Sequence, residues 1–302
     1  MSRPALLSTA EGTSTGAFAA ADWALLFAIA GVWGTSFLFI KNGLQSFGPG
    51  TLAMLRVGLG ASTLALMPAA RRTRIDRHDL PRVALLGLIW MAIPFVMFPI
   101  AERWVTSAVA GMLNGGAPLL TAVVAGVLLR RRPGRNQVLG LSVGFVGIVL
   151  VALPSLREGA NEVRGVLCIL VALVCYGLSS NLSVPLSQKY GSLAVQLRVQ
   201  GFGLLFSLPY GLYGLTQPVH LTWTAVLSML GLGVLGTGLA FVMAGRLFAR
   251  VGPTRAMVFT YLMPIVSIVL GVVFLHEHVH GLAYIGAAFV LAGAYLATRA
   301  GR

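Results

Sequence analysis

The sequence predicts an all-α integral membrane protein of ten transmembrane helices, arranged as two inverted five-helix repeats with both termini on the cytoplasmic side. Three observations carry this: the composition, a succession of ten apolar runs, and an internal repeat. Of 302 residues, 57% are hydrophobic and 10% charged, against roughly 25% charged in soluble proteins. With a mean hydropathy of +0.86, the apolar content exceeds what one soluble core of this size can bury, so the bilayer is the solvent for most of it. A water-soluble globular fold is excluded.

The net charge of +14 would suggest nucleic acid in a soluble chain. Here the basic residues sit between apolar runs, so the expected partner is a bilayer with an anionic inner leaflet, which attracts each such residue by about 1 kcal/mol, and not nucleic acid. Cys168 and Cys175 are the only cysteines and share one apolar run. Seven helical residues rise about 10.5 Å, too far for a disulfide, so they give no redox reading.

Residues 1–20 are small and polar, with Arg3 and Glu11 as their only charges. They lack the basic-then-apolar order of a signal peptide and read as a disordered cytoplasmic lead-in. Apolar runs follow at 21–40, 50–68, 83–101, 105–129 and 137–153, which form the first repeat, 21–153. Runs at 165–187, 192–214, 223–245, 252–275 and 281–298 form the second, 165–298. Each is about as long as a spanning helix requires. With the N-terminus inside, sixteen Lys and Arg fall on the cytoplasmic side and four outside, namely Lys41, Arg103, Arg157 and Arg164. That asymmetry sets the orientation.

A shift of 146 places Phe95-Val96-Met97 on Phe241-Val242-Met243, Pro118 on Pro264, Gly140 on Gly286 and Gly147 on Gly293. Toward the start of each half the offset is 142 or 143, where Leu55-Arg56-Val57 meets Leu197-Arg198-Val199 and Trp33-Gly34 meets Tyr176-Gly177. Five spans per half is an odd number, so the second half enters the membrane from the opposite side. Inverted halves can exchange conformations around a site near the midplane, which is the physical logic of alternating access.

Val32-Trp33-Gly34-Thr35-Ser36-Phe37, the pair Leu55-Arg56, Pro118 and Pro264, Leu275-His276-Glu277, and Gly286-Ala287-Ala288 with Gly293 together resemble the drug/metabolite transporter superfamily, EamA branch. The resemblance covers about 21–298 and extends to the family's YddG-type amino-acid exporters. It implies export or exchange of small metabolites, with amino acids foremost, in the inner membrane. One departure is Arg130-Arg131-Arg132, where such sequences often carry a glutamate matching Glu277.

Two arginines lie within spans. Arg56 is about seven residues into span 2 and Arg198 about six into span 7, symmetry mates across the midplane. An intramembrane arginine costs at least about 2.5 kcal/mol and needs a carbonyl, a polar neighbour or a wet cavity. Each is either a gate or attractor for a substrate carboxylate, or a structural arginine capping carbonyls, the reading favoured here. A nucleotide sugar would want more convergent basic groups than these two.

Pro94, Pro99, Pro118, Pro185, Pro209 and Pro264 interrupt spans, where proline removes a helix hydrogen bond. Pro94, Pro264 and the run Asn114-Gly115-Gly116-Ala117-Pro118 are the expected hinges, with spans 4 and 9 as bending gates; simple packing kinks are the alternative. For a small-molecule substrate, Asn114, Ser179, Ser180, Asn181 and Thr237 offer hydrogen bonds, and Trp33, Trp90, Tyr176 and Tyr261 offer faces. Interhelical polar contacts and lipid-facing aromatics are the alternative roles.

His276-Glu277-His278-Val279-His280 matches H-E-x-x-H, a zinc-binding pattern when it lies on a helix. It falls at the outer end of span 9 before Gly281, so a solvated loop is expected there, with no metal and no cofactor. An intramembrane metalloenzyme built on this segment is one rival reading, and a lipid flippase or scramblase is another. No phosphate-binding loop occurs, and all eight acidic residues fall in loops or at span ends, Glu102 and Glu277 nearest the hydrocarbon. Facilitated movement or exchange is therefore expected ahead of proton coupling. The sequence carries no signature of an oligomeric state.

Overall fold

The computed structural model describes residues 13, 18–128, 135–158, 160–217 and 219–299. Most of the expected disordered lead-in lies outside the described residues, as do Arg130, Arg131 and Arg132. From residue 20 onward the described chain is helical between short connections, and its helices follow one another as ten rods. The first five are α1 (Ala20–Gly43), α2 (Pro49–Ala65), α3 (Leu80–Leu86, Gly87–Ala92 and Ile93–Ala101), α4 (Ser107–Asn114 and Ala117–Leu128) and α5 (Arg135–Glu158). The second five are α6 (Ala160–Tyr190), α7 (Ser192–Gly214), α8 (Trp223–Leu230, Gly231–Leu239 and Ala240–Val251), α9 (Pro253–Ala256, Met257–Tyr261 and Met263–Leu275) and α10 (Gly281–Arg299). By length and composition, five stretches can cross a membrane: Ala20–Gly43, Arg77–Ala101, Ser107–Leu128, Glu162–Tyr190 and Trp223–Val251.

Local chemistry explains where the rods start and change. Thr106 and Thr222 accept from the N–H groups of Val109 and Ala225 and so cap α4 and α8; such caps satisfy otherwise orphaned donors. Pro49 and Pro264 stand in the first turn of a helical segment, where proline's missing N–H costs little, and Pro94 follows directly on the π-helical stretch of the same rod. Pro99, Pro185 and Pro209 lie inside helices that continue past them. The interruptions expected at those three positions occur elsewhere, in the π-helical stretches Gly87–Ala92 of α3 and Gly231–Leu239 of α8, and between the segments of α4 and α9.

The packing is reciprocal. The rod α2 packs on α7 and on the π-helical stretch of α8, while α7 packs on the π-helical stretch of α3. The rod α1 packs on α8 and α9, α6 packs on α3 and α4, and α5 packs on α10. Glycines set the closest approach. A Cβ on Gly286 would stand 2.6 Å from Val151 N and 2.8 Å from Gly147 O, and one on Gly293 would stand 2.6 Å from Gly140 O. Small residues that let backbones touch are the usual basis of helix association in lipid. Outward the bundle presents Phe145, Phe274, Leu205 and Val127, all exposed, whereas Glu102, Asn181, Gln196 and Gln200 have no exposed surface. Apolar outside and polar within is the arrangement that a hydrocarbon solvent favours.

At the end of the bundle where α1 begins, ion pairs tie separate rods together. Asp22 meets Arg250 of α8 at 3.0 Å. Lys189 of α6 lies 2.9 Å from both Asp76 and Asp79, and Tyr190 Oη is 2.7 Å from an oxygen of each. Hydrogen bonds from Lys189 and then Tyr190 hold the exposed Asp76 carboxyl below its ordinary value of 3.8. A carboxyl held low contributes stability above its unfolded value and loses it as pH falls through the folded one.

Two outcomes follow for stability in detergent. Gly286→Leu forces backbones apart and lowers stability by about 1–3 kcal/mol or more, whereas Gly201→Ala, with nothing within 4 Å of an added Cβ, leaves it unchanged or raises it by about 1 kcal/mol. Thermal unfolding followed by circular dichroism separates them, and an unperturbed Gly286→Leu melt would refute the close approach. Lys189→Met lowers the melting temperature at neutral pH, and its gap from the parent narrows as pH falls below about 4; a gap independent of pH would show that the Lys189 contacts to Asp76 are not electrostatic.

Candidate functional site

A cavity with about 580 Å³ of empty space, its open mouth included, lies among the rods. Its wall takes Trp33, Ser36, Phe37 and Ile40 from α1, Arg56 from α2, Trp90 and Phe98 from α3, Asn114 and Ala117 from α4, and Tyr176 and Ser180 from α6. Phe241 and Phe248 of α8 and Met257, Phe259, Thr260 and Met263 of α9 complete it.

Arg56 is the charged group of this wall, and it is held from behind. Its Nε donates to Thr237 Oγ1 at 3.0 Å, and its guanidinium carbon stands 3.8 Å from the centroid of the Phe95 ring. Among the described residues it has no carboxylate within 4.0 Å, and its Nη groups have no acceptor. Thr237 belongs to the π-helical stretch of α8 and donates in turn to Leu232 O, five residues back, at 2.8 Å. Two further side chains meet this stretch: Trp33 Nε1 donates to Gly236 O at 2.7 Å, and Gln200 Nε2 donates to Thr237 O at 2.7 Å. One widened turn thus positions side chains from α1, α2 and α7.

Asn114 supplies the complementary atom. It ends the first segment of α4 and is 3% exposed. Its Nδ2 donates to Met263 Sδ at 3.6 Å, while its buried Oδ1 has no donor. The glycine just beyond it answers a packing requirement, because a Cβ on Gly115 would stand 2.9 Å from Pro264 Cγ. Gly115, Gly116, Pro118 and Pro264 therefore lie at facing breaks of α4 and α9, beside the cavity residues Asn114, Ala117 and Met263. Pro94 opens the last segment of α3, directly after its π-helical stretch.

Aromatic rings form much of the remaining wall. Trp33 meets Phe241 edge-on at 4.7 Å and Phe259 at 5.1 Å, Trp90 meets Phe241 at 5.3 Å, and Phe98 stacks on Tyr176 at 6.0 Å. Edge-to-face contacts at these separations contribute about 0.5–1.5 kcal/mol each beyond area burial.

Of the residues singled out from the sequence, Trp33, Trp90, Asn114, Tyr176, Ser180 and Arg56 line the cavity. Ser179, Asn181, Thr237 and Tyr261 do not. Ser179 bonds to Tyr176 O, Asn181 donates to Thr121 O and Gly177 O, and Thr237 stands behind Arg56. The side chains of Ser179, Asn181 and Thr237 are thus engaged by protein. Arg198 is also elsewhere: its guanidinium reaches Ala70 O, Arg71 O and Thr73 O and so caps the short helix Pro68–Arg72. Sequence reasoning missed Ser36, Phe37 and Ile40, which a helical stripe starting at Trp33 (i, i+3, i+4, i+7) marks. It also missed Phe241, although the repeat aligns it with Phe95.

The H-E-x-x-H segment is not helical. The α9 helix ends at Leu275, His276 takes a φ of 52°, and residues 276–280 carry no regular structure. Glu277 instead accepts from Ser107 N at 2.8 Å, Ser107 Oγ at 2.9 Å and Ala108 N at 3.0 Å, capping α4. Two histidines on one helical face, which the metalloenzyme reading requires, are therefore not formed. The described residues do bring Asp76, His78 and Asp79 together, but Lys189 already occupies both carboxylates.

Replacing Trp33 by Phe keeps ring packing and removes the bond to Gly236 O. The expected loss is about 1 kcal/mol, visible as a lowered melting temperature; a variant as stable as the parent would show that this bond does not hold α1 on α8.

The EamA-like transporter family model matches residues 22–153 and again 163–299. A probable terminal-alkyne amino-acid exporter of Streptantibioticus cattleyicolor is 29% identical over 284 residues, 92% of this chain and 93% of that one. A probable amino-acid metabolite efflux pump of Salmonella typhimurium is 25% identical over 288 residues, 91% and 94% of the two chains. The inner membrane transporter YedA of Escherichia coli is 23% identical over 251 residues, 82% and 80% of the two chains. One solved structure, at 22% identity, shares the fold with a TM-score of 0.67 over 93% of this chain and 99% of that one. An apolar all-helical bundle around a partly charged cavity, matched twice by the same model, belongs to the EamA-like transporter family and is a multi-pass protein of the inner membrane.

Proposed function

We propose that the protein exports a small zwitterionic metabolite, foremost an amino acid, from a site between two inverted halves. The observation that carries this is the cavity's pair of unfilled polar groups, the Arg56 guanidinium and Asn114 Oδ1, set in an aromatic wall. A carboxylate on Arg56 makes charge-assisted bonds. An ammonium finds an acceptor in Asn114 Oδ1 and ring faces around it, and an apolar side chain packs against Phe241 or Trp90.

All ten rods span the membrane in this reading, with both termini cytoplasmic. The excess of basic residues at that face, among them Arg71, Arg72, Arg74, Arg246 and Arg250, supports it. The reciprocal packing of α2 with α7 and α5 with α10, and the double match of one family model, support two exchangeable halves. The relatives named as amino-acid exporters support the substrate class. Alternating access then consists of the broken rods α4 and α9 bending at Gly115, Gly116, Pro118 and Pro264, with Pro94 serving α3. Transport is driven by gradients as facilitation or exchange, not by ATP.

Proteoliposomes loaded with a panel of labelled amino acids test this through exchange against external unlabelled amino acid. The parent protein exchanges at least one of them. Arg56→Ala weakens half-saturation or flux about 10- to 100-fold, the scale of a lost bond to a charged group, while Arg198→Gln, away from the cavity, retains exchange. Properly folded protein that exchanges no amino acid would retire the reading, and lipid translocation in the same vesicles would replace it with a flippase or scramblase.

A further inference from the structure

The connection from α2 to α3, residues 66–79, carries Arg71, Arg72, Arg74 and Arg77, all exposed. It lies at the end of the bundle where Ala20–Gly43 and Arg77–Ala101, two stretches able to cross a membrane, begin and where a third, Glu162–Tyr190, stops. Contacts between the rods fix this common level: Asp22 pairs with Arg250, Ala249 O accepts from Gln188, and Tyr190 bonds to Asp76. The four guanidiniums therefore stand where hydrocarbon gives way to headgroups.

The carboxylates within this segment are already engaged. Asp76 and Asp79 both bond to Lys189 and Tyr190, and His78 and Arg82 stand 3.4 and 3.7 Å from Asp79. Among the described residues no carboxylate comes within 4.0 Å of Arg71, Arg72, Arg74 or Arg77. Four like charges are thus left uncompensated on a short piece of chain. A loose loop would let them spread, but this one is pinned. Ala70 is fully buried, Ile75 packs against the core, Asp76 N–H donates to Tyr190 Oη at 3.4 Å, and Arg198 donates to Ala70 O and to Thr73 O, the latter at 2.9 Å. Arg198, which takes no part in the cavity, is used to hold the backbone that carries them.

Guanidiniums fixed side by side match phosphate oxygens, which they bind through paired N–H donors. The segment also begins with Leu66, 81% exposed, an apolar side chain that suits an acyl chain and not a soluble anion. We infer that residues 66–79 form a docking surface for anionic phospholipid, with Arg71, Arg72, Arg74 and Arg77 on the headgroup phosphates and Leu66 against the chains. This is narrower than the diffuse attraction of any basic loop to an anionic leaflet: a pinned surface saturates with a few lipids and depends on these four residues. It is separate from the cavity and holds whichever substrate is carried.

The test uses the full chain in neutral detergent, titrated with phosphatidylglycerol, with phosphatidylcholine and inorganic phosphate as comparisons at equal concentration. Native mass spectrometry counts bound lipid, and the melting temperature follows it, because a ligand of the folded state stabilises that state. Phosphatidylglycerol binds saturably and raises the melting temperature, whereas phosphatidylcholine does neither and inorganic phosphate does not displace it. Changing Arg71, Arg72, Arg74 or Arg77 singly to Gln weakens binding about fivefold, the scale of one basic residue's attraction to an anionic surface, and changing all four weakens it about 100-fold or more. Arg246→Gln, exposed at the same end, and Arg103→Gln, exposed at the other, leave binding unchanged. Binding that never saturates, or that Arg246→Gln weakens as much as Arg72→Gln does, would overturn the inference in favour of diffuse attraction. Undiminished binding by the four single variants would overturn it as well, and displacement by inorganic phosphate would reassign the surface to a soluble anion. Amino-acid exchange is not the readout, so neither result depends on the cavity.

Discussion

A guanidinium does not give up its charge in a protein, and Arg56 is 5% exposed inside an apolar bundle. Much of the cavity is organised around holding it. A π-helical turn in α8 allows Thr237 to bond backward to Leu232 O while receiving Arg56 Nε. The same turn receives Trp33 and Gln200, so α1, α2 and α7 are fixed to α8 through neighbouring atoms. The Phe95 ring covers one face of the guanidinium. What is left open is the Nη edge, and an open cationic edge inside low dielectric attracts an anion more strongly than the same group would in water.

Holding a charge this way requires neighbouring rods that do not drift, and in hydrocarbon no hydrophobic force presses helices together. Close backbone contact supplies the rigidity. Gly60 brings α2 against Thr237, the residue that holds Arg56, since a Cβ there would stand 2.7 Å from Thr237 Cγ2. Gly34 brings α1 against Val266 of α9 at 2.5 Å on the same measure. The glycine content is thus tied to function through packing: these glycines position the cavity wall without entering it.

The rods and their order were legible in the sequence because hydrocarbon thickness fixes a length and glycine and proline punctuate it. The repeat was legible in Phe95-Val96-Met97 and Phe241-Val242-Met243, although its offset could not announce that both halves carry a π-helical stretch just before or around these residues. Arg56 stood out by charge alone. Its difference from Arg198 did not, since both have the local sequence Leu-Arg-Val; only the tertiary contacts put Thr237 behind one and the carbonyls of Pro68–Arg72 beside the other. Ser179 and Asn181 were plausible as ligands because their types fit, yet helix position turned their side chains toward backbone carbonyls. The H-E-x-x-H segment shows the converse, a correct pattern of residues without the helix that gives the pattern meaning.

In the function proposed above, reciprocal backbones with unlike chemistry suit a small zwitterion: a duplicated scaffold gives two ways of opening, but a substrate with one carboxylate needs one guanidinium, and a second in the cavity would repel the first. Arg198 therefore serves best outside the cavity, where carbonyls satisfy it. The acidic groups divide in the same way. At the end where α1 begins, Asp76 and Asp79 are neutralised by Lys189, whereas at the other end Lys41 donates to the backbone oxygen of Glu102 and its carboxylate oxygens have no donor among the described residues. A paired carboxylate is set by its partner and responds little to events in the cavity. The Glu102 carboxyl, one turn beyond Phe98 of the cavity wall, is instead buried without a donor among the described residues, so the two ends of the bundle treat their acidic groups differently.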